Sequence, residues 1–247
     1  MDHVGALALV GSGEYLPIMQ ELESALLKSG VERGKSERYV QLPLAAGRES
    51  ASRLKYWQDL GAEQADRIGV EQIFLPVYSR QDAMRHEIAD TIDDAGLIYL
   101  SGGDPHYLAS SLVDTPVWDA ILRNWRTGSA LAGCSAGAMA FSGDVPNFRK
   151  MGEIGTPGLN ILPTIRTIPH YNKFFGWIPD SAAKVMLRAP DHVWVIGVDE
   201  GTAAVAGLDP DTSYESQTFV VSGVGGVHVL RGGPTRTYVQ GEKATLH

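Results

Sequence analysis

Short apolar runs that end in glycine or acidic turns recur along the first half of the chain, and longer amphipathic stretches separate them. This alternation is typical of a parallel sheet joined by crossover helices, because parallel strands need a long connection and are buried on both faces. We therefore predict an α/β fold with a doubly wound, mostly parallel sheet and helices on both faces.

The apolar runs predict five strands in this half of the chain, namely Ala6–Val10, Tyr39–Pro43, Gln72–Pro76, Leu97–Leu100 and Ala130–Gly133. The amphipathic stretches predict four helices, namely Leu16–Ser29, Ser50–Asp66, Gln81–Asp93 and Pro116–Arg126. A further helix is expected at Ser181–Arg188. Later β-rich runs lie at Val193–Val198, Ala203–Ala206, Thr218–Ser222 and Val227–Leu230. We expect these last runs to form an antiparallel C-terminal addition to the sheet.

Length and charge limit the class of protein. The chain has 247 residues, 44% of them hydrophobic, which suits a single domain over residues 1–247. Its formal net charge is −8 and its Lys and Arg residues are scattered, so its average field repels nucleic acid and anionic membranes. One cysteine excludes an internal disulfide and agrees with a cytoplasmic location. No apolar run is long enough to cross a bilayer.

The sequence GCSAG places Ser135 at the centre of a Gly-x-Ser-x-Gly pattern, directly after a predicted strand. This spacing is typical of a nucleophile elbow, in which small residues let the strand and the following helix approach closely. A second glycine turn, SGGD at residues 101–104, ends the preceding predicted strand at the same edge of the sheet. Gly103 and the backbone of Ala136 are therefore candidate donors for an oxyanion.

A serine hydroxyl needs a positioned base, usually a histidine that an acid orients. Of the seven histidines, His170 is the candidate base because it follows an apolar run and a proline. His106 follows the glycine turn and is a candidate pocket residue. The strand-like run before Asp199 and Glu200 ends in two adjacent carboxylates. Neighbours on an extended strand point in opposite directions, so we expect only one of the two to reach the histidine.

With these residues assembled, the chain resembles the peptidase E and cyanophycinase family of serine peptidases, which has a class I glutamine amidotransferase-like fold. The resemblance rests on five motifs in order: GSGE, LSGGD, AGCSAGAMAFSG, IPHY and GVDEGTAAV. It implies that Ser135 is the nucleophile, His170 the base and Glu200 the acid. It also implies hydrolysis of a peptide bond next to an aspartyl residue, with no cofactor and no metal.

The remaining candidate oxyanion and substrate-binding residues are Gly102, Asp104 and Asp199, of which Asp199 is also the reserve acid. Members of the family usually carry Asn at the position of Asp104, and an aspartate facing the pocket would repel a substrate carboxylate. Three cations are candidate anchors for an acidic substrate group: Arg149, Arg166 and Lys173. We expect a small peptide substrate, and the sequence leaves a homodimer open.

Two other interpretations stay open at this point. One is a serine esterase of the α/β-hydrolase type, with Ser135 as nucleophile, His228 as base and Asp199 or Asp209 as acid. The other is a non-catalytic binding protein that keeps the elbow for packing. A dinucleotide site is disfavoured because GSGEYL lacks the third glycine of the fingerprint. A metal site is disfavoured because the chain has no His-x-x-x-His pair and only one cysteine.

Overall fold

The computed structural model describes residues 4–147, 155–173 and 189–246. The first five strands are β1 (Leu7–Val10), β2 (Ser36–Leu42), β3 (Glu71–Phe74), β4 (Ala95–Leu100) and β5 (Ala130–Cys134). The later strands are β6 (Asp144–Val145), β7 (Thr156–Pro157), β8 (Ile165–Ile168), β9 (Trp194–Val198), β10 (Thr202–Ala206), β11 (Thr218–Gly223), β12 (Gly226–Arg231), β13 (Arg236–Val239) and β14 (Lys243–Thr245). The α-helices of these ranges are α1 (Gln20–Glu32), α2 (Ala51–Ile68), α3 (Arg80–Ala83), α4 (His86–Ala89), α5 (Pro105–Leu112), α6 (Pro116–Arg126) and α7 (Ala136–Ala140). Short 3-10 turns lie at Pro17–Met19, Leu44–Ala46 and Asp90–Ile92.

The main sheet has eight strands in the order β14-β11-β10-β1-β5-β4-β2-β3. On one side of the sheet, five strands run parallel to one another: β1, β5, β4, β2 and β3. On the other side of β1, the strands β10, β11 and β14 are added in antiparallel pairs. Strand β1 is thus central, with Leu7 paired to Leu131 on one side and to Ala206 on the other. The predicted mostly parallel sheet with an antiparallel addition is confirmed.

Helices cover both faces of the main sheet, as predicted. Alternate residues of β1 belong to two separate cores, Leu9 to one and Val10 to the other. The core on the Leu9 side includes residues from α4, α5, α6 and α7, and the core on the Val10 side includes residues from α1 and α2. This division follows from the two-residue period of a strand, which sends successive side chains to opposite faces.

Two helix predictions need correction. The helix expected at Gln81–Asp93 is broken into α3, α4 and a 3-10 turn, because Arg85 between α3 and α4 has an extended backbone with ψ 116°. Helix α5 was not among the predicted helices. It begins at Pro105, and the Asp104 carboxylate caps it by accepting two backbone N–H groups. The helix expected at Ser181–Arg188 lies outside the described residues.

A second sheet holds part of the predicted C-terminal addition. It has the order β13-β12-β9-β8, with β8 and β9 parallel and the other pairs antiparallel. Buried residues of β8, β9 and β12 join the core on the Leu9 side of the main sheet. The runs predicted at Val193–Val198 and Val227–Leu230 therefore belong to this second sheet, and not to the main one. Those at Ala203–Ala206 and Thr218–Ser222 are in the main sheet.

Candidate active site

Ser135 lies at the sharp turn between β5 and α7. Its backbone has φ 49° and ψ −104°, a conformation that non-glycine residues rarely adopt. The Ser135 N–H donates to the carbonyl oxygen of Val10 at 2.9 Å, which fixes the turn to the end of β1. A Cβ built on Gly133 would lie 2.6 Å from the carbonyl carbon of Gly137, so only glycine lets the strand and the helix come this close. Ser135 thus lies at the apex of a tight strand-to-helix turn, the position at which the sequence predicts a nucleophile elbow.

His170 and Glu200 meet because they follow two parallel neighbours in the second sheet. Strands β8 and β9 pair with Ile168 opposite Gly197, so their carboxyl ends lie side by side. His170 Nε2 lies 3.1 Å from Ser135 Oγ, and His170 Nδ1 lies 2.9 Å from Glu200 Oε1. The structure therefore brings the three predicted triad residues into one hydrogen-bonded chain.

The other oxygen of Glu200 is held by Lys173, whose Nζ lies 2.8 Å from Oε2. The Glu200 backbone N–H also donates to Asn172 Oδ1 at 3.2 Å. The hydrogen bond from His170 and then that from Lys173 lower the pKa of the Glu200 carboxyl below its usual value. Lys173, one of the candidate substrate anchors, is therefore paired with the candidate acid in this structure.

The glycine turn beside Ser135 presents four successive backbone N–H groups, those of residues 101–104. That of Ser101 donates to Leu42, that of Gly102 to the Glu14 carboxylate and that of Asp104 to Ala45. Within the described residues, the N–H of Gly103 is the one of the four without an acceptor, and the residue is exposed. Gly103, predicted as an oxyanion donor, is therefore available for that role. Gly102, also predicted, is not, because its N–H is used inside the protein.

Gly103 is also restricted to glycine by its surroundings. Its φ of 142° is in the region that favours glycine, and a Cβ there would lie 2.4 Å from the Ala45 carbonyl oxygen. The second candidate donor, the N–H of Ala136, is the first of helix α7, where backbone N–H groups have no partner within the helix. The glycine turn lies beside Ser135, since a Cβ on Gly102 would lie 3.3 Å from the Ser135 Cβ.

Asp199 points away from this chain of residues and forms a second pair. Its Oδ1 lies 3.0 Å from His228 Nε2, and its Oδ2 accepts the N–H of Gly226 at 2.9 Å. The other ring nitrogen of His228 lies 2.9 Å from Thr237 Oγ1. Both nitrogens of His228 are therefore engaged away from the serine. As expected for neighbours at a strand end, only one of the two carboxylates reaches His170, and it is Glu200.

This arrangement corrects two predicted assignments. Asp199 is neither the orienting acid nor part of the oxyanion turn, because β9 directs it toward β12. The esterase interpretation is not supported either, because His170 and not His228 contacts Ser135. Asp209, its other candidate acid, bonds to Lys243 at 3.1 Å.

Comparisons with known proteins place the chain in a family. The model of peptidase family S51 matches residues 7–207, which include the elbow, the glycine turn, the histidine and the glutamate. The chain belongs to peptidase family S51. The predicted membership of the peptidase E and cyanophycinase group is thereby confirmed.

Relatives of this S51 chain include cyanophycinases. It is 29% identical over 189 residues to the cyanophycinase of Trichormus variabilis (strain ATCC 29413 / PCC 7937), a match that covers 70% of this chain and 58% of the relative. It is 31% identical over 156 residues to that of Synechococcus elongatus, covering 58% of this chain and 46% of the relative. The chain thus spans less than two thirds of the length of these curated relatives.

Solved structures agree with the fold. The crystal structure of a peptidase from an acI-B1 Actinobacterium is 48% identical, with a TM-score of 0.93 and coverage of 99% of this chain and 98% of that one. A Listeria monocytogenes EGD-e protein named for peptidase E is 16% identical, with a TM-score of 0.54 and coverage of 96% and 98%. The second likeness shows the fold alone.

The remaining predicted site residues of this S51 chain have other contacts. Asp104 Oδ1 accepts the N–H groups of His106 and Tyr107, so it caps α5. His106 Nδ1 lies 2.9 Å from Thr156 Oγ1. Arg166 is buried and donates to both oxygens of Asp144, at 2.8 and 2.6 Å, so it is also committed. The third candidate anchor, Arg149, lies outside the described residues.

The sequence did not point to Glu14 or Asn172 as parts of the site. Glu14 stands in the quoted GSGE motif, but a glutamate in a glycine-rich turn gave no sign that it would be buried, as it is here. Among the described residues, no group of three or more His, Cys, Asp or Glu could hold a metal ion. In the same part of the chain, no helix combines the length and apolarity that a membrane span needs.

Proposed function

We propose that this chain is a serine peptidase that hydrolyses small peptides or isopeptides next to an aspartyl residue, through a triad of Ser135, His170 and Glu200. The observation that carries the proposal is the continuous path from Ser135 Oγ through both ring nitrogens of His170 to Glu200, with distances of 3.1 and 2.9 Å. A nucleophile, its base and an orienting acid within such reach are the requirements for acyl transfer.

The reaction proceeds in two halves. Ser135 Oγ attacks the scissile carbonyl carbon while His170 Nε2 takes its proton, and Glu200 stabilises the resulting imidazolium through Nδ1–H. The tetrahedral intermediate collapses as His170 returns the proton to the departing amine. The carbonyl group then remains bound to Ser135 as an acyl ester. Water then attacks this ester with His170 again as base, and the product acid is released.

The negative charge that develops on the carbonyl oxygen is stabilised by two backbone donors. The N–H of Gly103 has no acceptor among the described residues, and that of Ala136 begins α7. Each such donor contributes about 10²–10³-fold to the rate of acyl transfer in known enzymes. Because the turn is already fixed by its other hydrogen bonds, little reorganisation is needed when the charge forms.

The substrate class is supported by membership of peptidase family S51 and by the cyanophycinase relatives. Two of the three candidate cationic anchors are already used inside the protein. Lys173 bonds to Glu200, and Arg166 bonds to Asp144. The substrate we propose is a dipeptide with aspartate at one position, joined by an α- or a β-aspartyl bond.

The first experiment is labelling of the purified protein with a fluorophosphonate probe. We expect labelling of the wild type and of His228→Ala, and none of Ser135→Ala or His170→Ala. His228→Ala is a matched control, because it removes a histidine that also pairs with a carboxylate but does not contact the serine. A panel of dipeptides with aspartate at either position, including β-aspartyl isomers, then defines the substrate.

The outcomes separate the interpretations. Loss of labelling in His228→Ala together with retained labelling in His170→Ala would support the esterase interpretation instead. A folded wild type that neither labels nor hydrolyses any dipeptide would favour the binding-protein interpretation over the peptidase.

A further inference from the structure

The GSGE turn after β1 contains a buried glutamate that the proposed reaction does not use directly. We propose that Glu14 is a positioning residue for the oxyanion site: its carboxylate holds the glycine turn so that the Gly103 N–H faces the reacting carbonyl. This inference rests on the proposed function, because it assigns how that same site is built.

Both oxygens of Glu14 are used inside the protein. Oε1 accepts the backbone N–H of Gly102 at 2.9 Å, and Oε2 accepts the Cys134 thiol, with Sγ at 2.9 Å. Glu14 is only 7% exposed and Cys134 is fully buried. One carboxylate thus connects the turn after β4 with the residue before the nucleophile.

The thiol is suited to this connection. Burial, together with the charge of Glu14, raises the pKa of Cys134 well above its ordinary value, so the sulfur keeps its proton and can donate it. A thiol in this state is a poor nucleophile. The cysteine beside the serine therefore serves as a hydrogen-bond donor to Glu14.

The bond to Gly102 determines which N–H groups are left for a substrate. The N–H groups of Ser101, Gly102 and Asp104 are all directed to protein acceptors, and the one from Gly102 is the only one of the three whose acceptor is a side chain. If that acceptor were lost, a buried N–H would be left unpaired, which costs about 1–3 kcal/mol. The turn would then rotate to satisfy it, and Gly103 would move with it.

Gly102 itself is shaped by the same contact. A Cβ at this position would lie 2.7 Å from Glu14 Oε1, so a side chain there would displace the carboxylate. Ser101 is held from the other side, because its hydroxyl lies 2.6 Å from the buried Tyr15 OH. The glycine turn is therefore fixed at two successive residues by the side chains of Glu14 and its neighbour Tyr15.

The turn that carries Glu14 also positions the rest of the site. The carbonyl oxygens of three successive residues accept N–H groups from three different segments: Val10 from Ser135, Gly11 from His170 and Ser12 from Gly201. Residues 10–14, which we call the β1 turn, thus contact the nucleophile, the base, the residue after the acid and the oxyanion turn. Glu14 is the member of the β1 turn that extends this contact to the oxyanion side.

The test compares Glu14→Met with Glu14→Gln. Methionine fills a similar volume without an acceptor, whereas glutamine keeps an oxygen for the Gly102 N–H. We expect Glu14→Met to lower kcat by about 10²-fold or more with KM within a few-fold, as for loss of an oxyanion donor. Glu14→Gln should stay within about ten-fold of the wild type. A peptide aldehyde, whose serine adduct carries the oxyanion, should lose affinity in Glu14→Met in parallel with kcat/KM.

Glu23→Met is the matched control. Glu23 is another fully buried glutamate, which accepts the Tyr15 N–H at 3.2 Å and the Tyr39 hydroxyl at 2.9 Å but does not contact the glycine turn. Its removal should lower the melting temperature and keep kcat within a few-fold. An active Glu14→Met, or an equal loss of kcat in Glu14→Met and Glu14→Gln, would overturn the inference.

The failure of the proposed function would be visible separately. If the wild type neither labels nor hydrolyses peptides, the peptidase proposal fails, and amide hydrogen exchange of residues 101–104 then tests the positioning role alone. Faster exchange of this turn in Glu14→Met, but not in Glu14→Gln, would support the role. Unchanged exchange in both would refute it.

Discussion

Replacing Glu200 with glutamine should inactivate this protein more severely than the small change in shape suggests, and the reason is Lys173. The Lys173 ammonium has only donors, and it lies 2.8 Å from Glu200 Oε2. In Glu200→Gln it will select the amide oxygen, so the amide NH₂ must face His170 Nδ1. That nitrogen must then accept, which places the ring proton on Nε2, where it cannot take the proton of Ser135.

The expected loss follows from this wrong tautomer. The corresponding change of the orienting acid to its amide in a serine protease triad costs about 10⁴-fold. We expect about 10³–10⁴-fold here, which corresponds to about 4 to 5.5 kcal/mol in activation free energy. Stability should change little, because the Lys173 side chain is 51% exposed and such exposed pairs contribute less than about 1 kcal/mol.

The second substitution Lys173→Met separates this explanation from a loss of charge alone. In Glu200→Gln/Lys173→Met the amide can rotate and present its oxygen to Nδ1, so we expect about ten-fold recovery or more relative to Glu200→Gln. Lys173→Met alone should stay within a few-fold of the wild type. The assay is the second-order rate of fluorophosphonate labelling, which needs no knowledge of the substrate. A double variant as slow as Glu200→Gln, or a Glu200→Gln within ten-fold of the wild type, would refute the reasoning.

Three further substitutions test other parts of the structure. In Gly103→Ala the new methyl group would meet the Ala45 carbonyl oxygen at 2.4 Å, at a φ of 142° that favours glycine, so the turn should shift and labelling should fall by about 10²-fold or more. Near-normal labelling would show that the turn accommodates the methyl group and would contradict this expectation. Burial raises the pKa of Glu23 to about 7, so between pH 4.5 and 7 the native state binds more protons than the unfolded state and loses roughly 3 kcal/mol of stability as the pH rises. Chemical denaturation at several pH values should show that the free energy of unfolding of Glu23→Gln lacks this decrease. An equal dependence of the free energy of unfolding on pH in the wild type and in Glu23→Gln would contradict the prediction. In Gly197→Ala a Cβ would lie 2.4 Å from the Tyr171 ring and would displace Tyr171, the residue next to the base. The rate of fluorophosphonate labelling should therefore fall although Ser135 itself stays as accessible as in the wild type. An unchanged rate would show that this packing is dispensable.

Local patterns were sufficient to predict the tight turn at Ser135 and much of the fold. The glycine spacing around Ser135 predicts a tight strand-to-helix turn, and the apolar runs predict the parallel strands, because both depend on residues close in sequence. The single domain, the homodimer and the cytoplasmic location stay predictions. The choice between Asp199 and Glu200 was open because it depends on which side of β9 faces the elbow, and that is set by packing of the second sheet.

The second sheet and Glu14 were not foreseen for a related reason. Short glycine-bounded strands have the same pattern whether they pair in one sheet or another, so β9 and β12 were assigned to the main sheet. Glu14 stands in a polar turn, and its partners are far along the chain, Gly102 in the turn after β4 and Cys134 at the end of β5. A carboxylate buried by such distant partners leaves no periodic signal. The contact of Lys173 with Glu200 was not predicted either, because it depends on the parallel pairing of β8 with β9.

The central place of β1 also sets the order in which this site can form. Leu7 must find both Leu131 and Ala206, so the strand that ends in the β1 turn is completed by contacts of very long range. Such contacts form late and slowly, because a large loop must close before they contribute any stability. A refolding chain will therefore acquire helices and the β2–β4 pairing before it acquires a reactive serine. Recovery of fluorophosphonate labelling should coincide with the slowest folding phase, which makes labelling a direct measure of the completely folded chain.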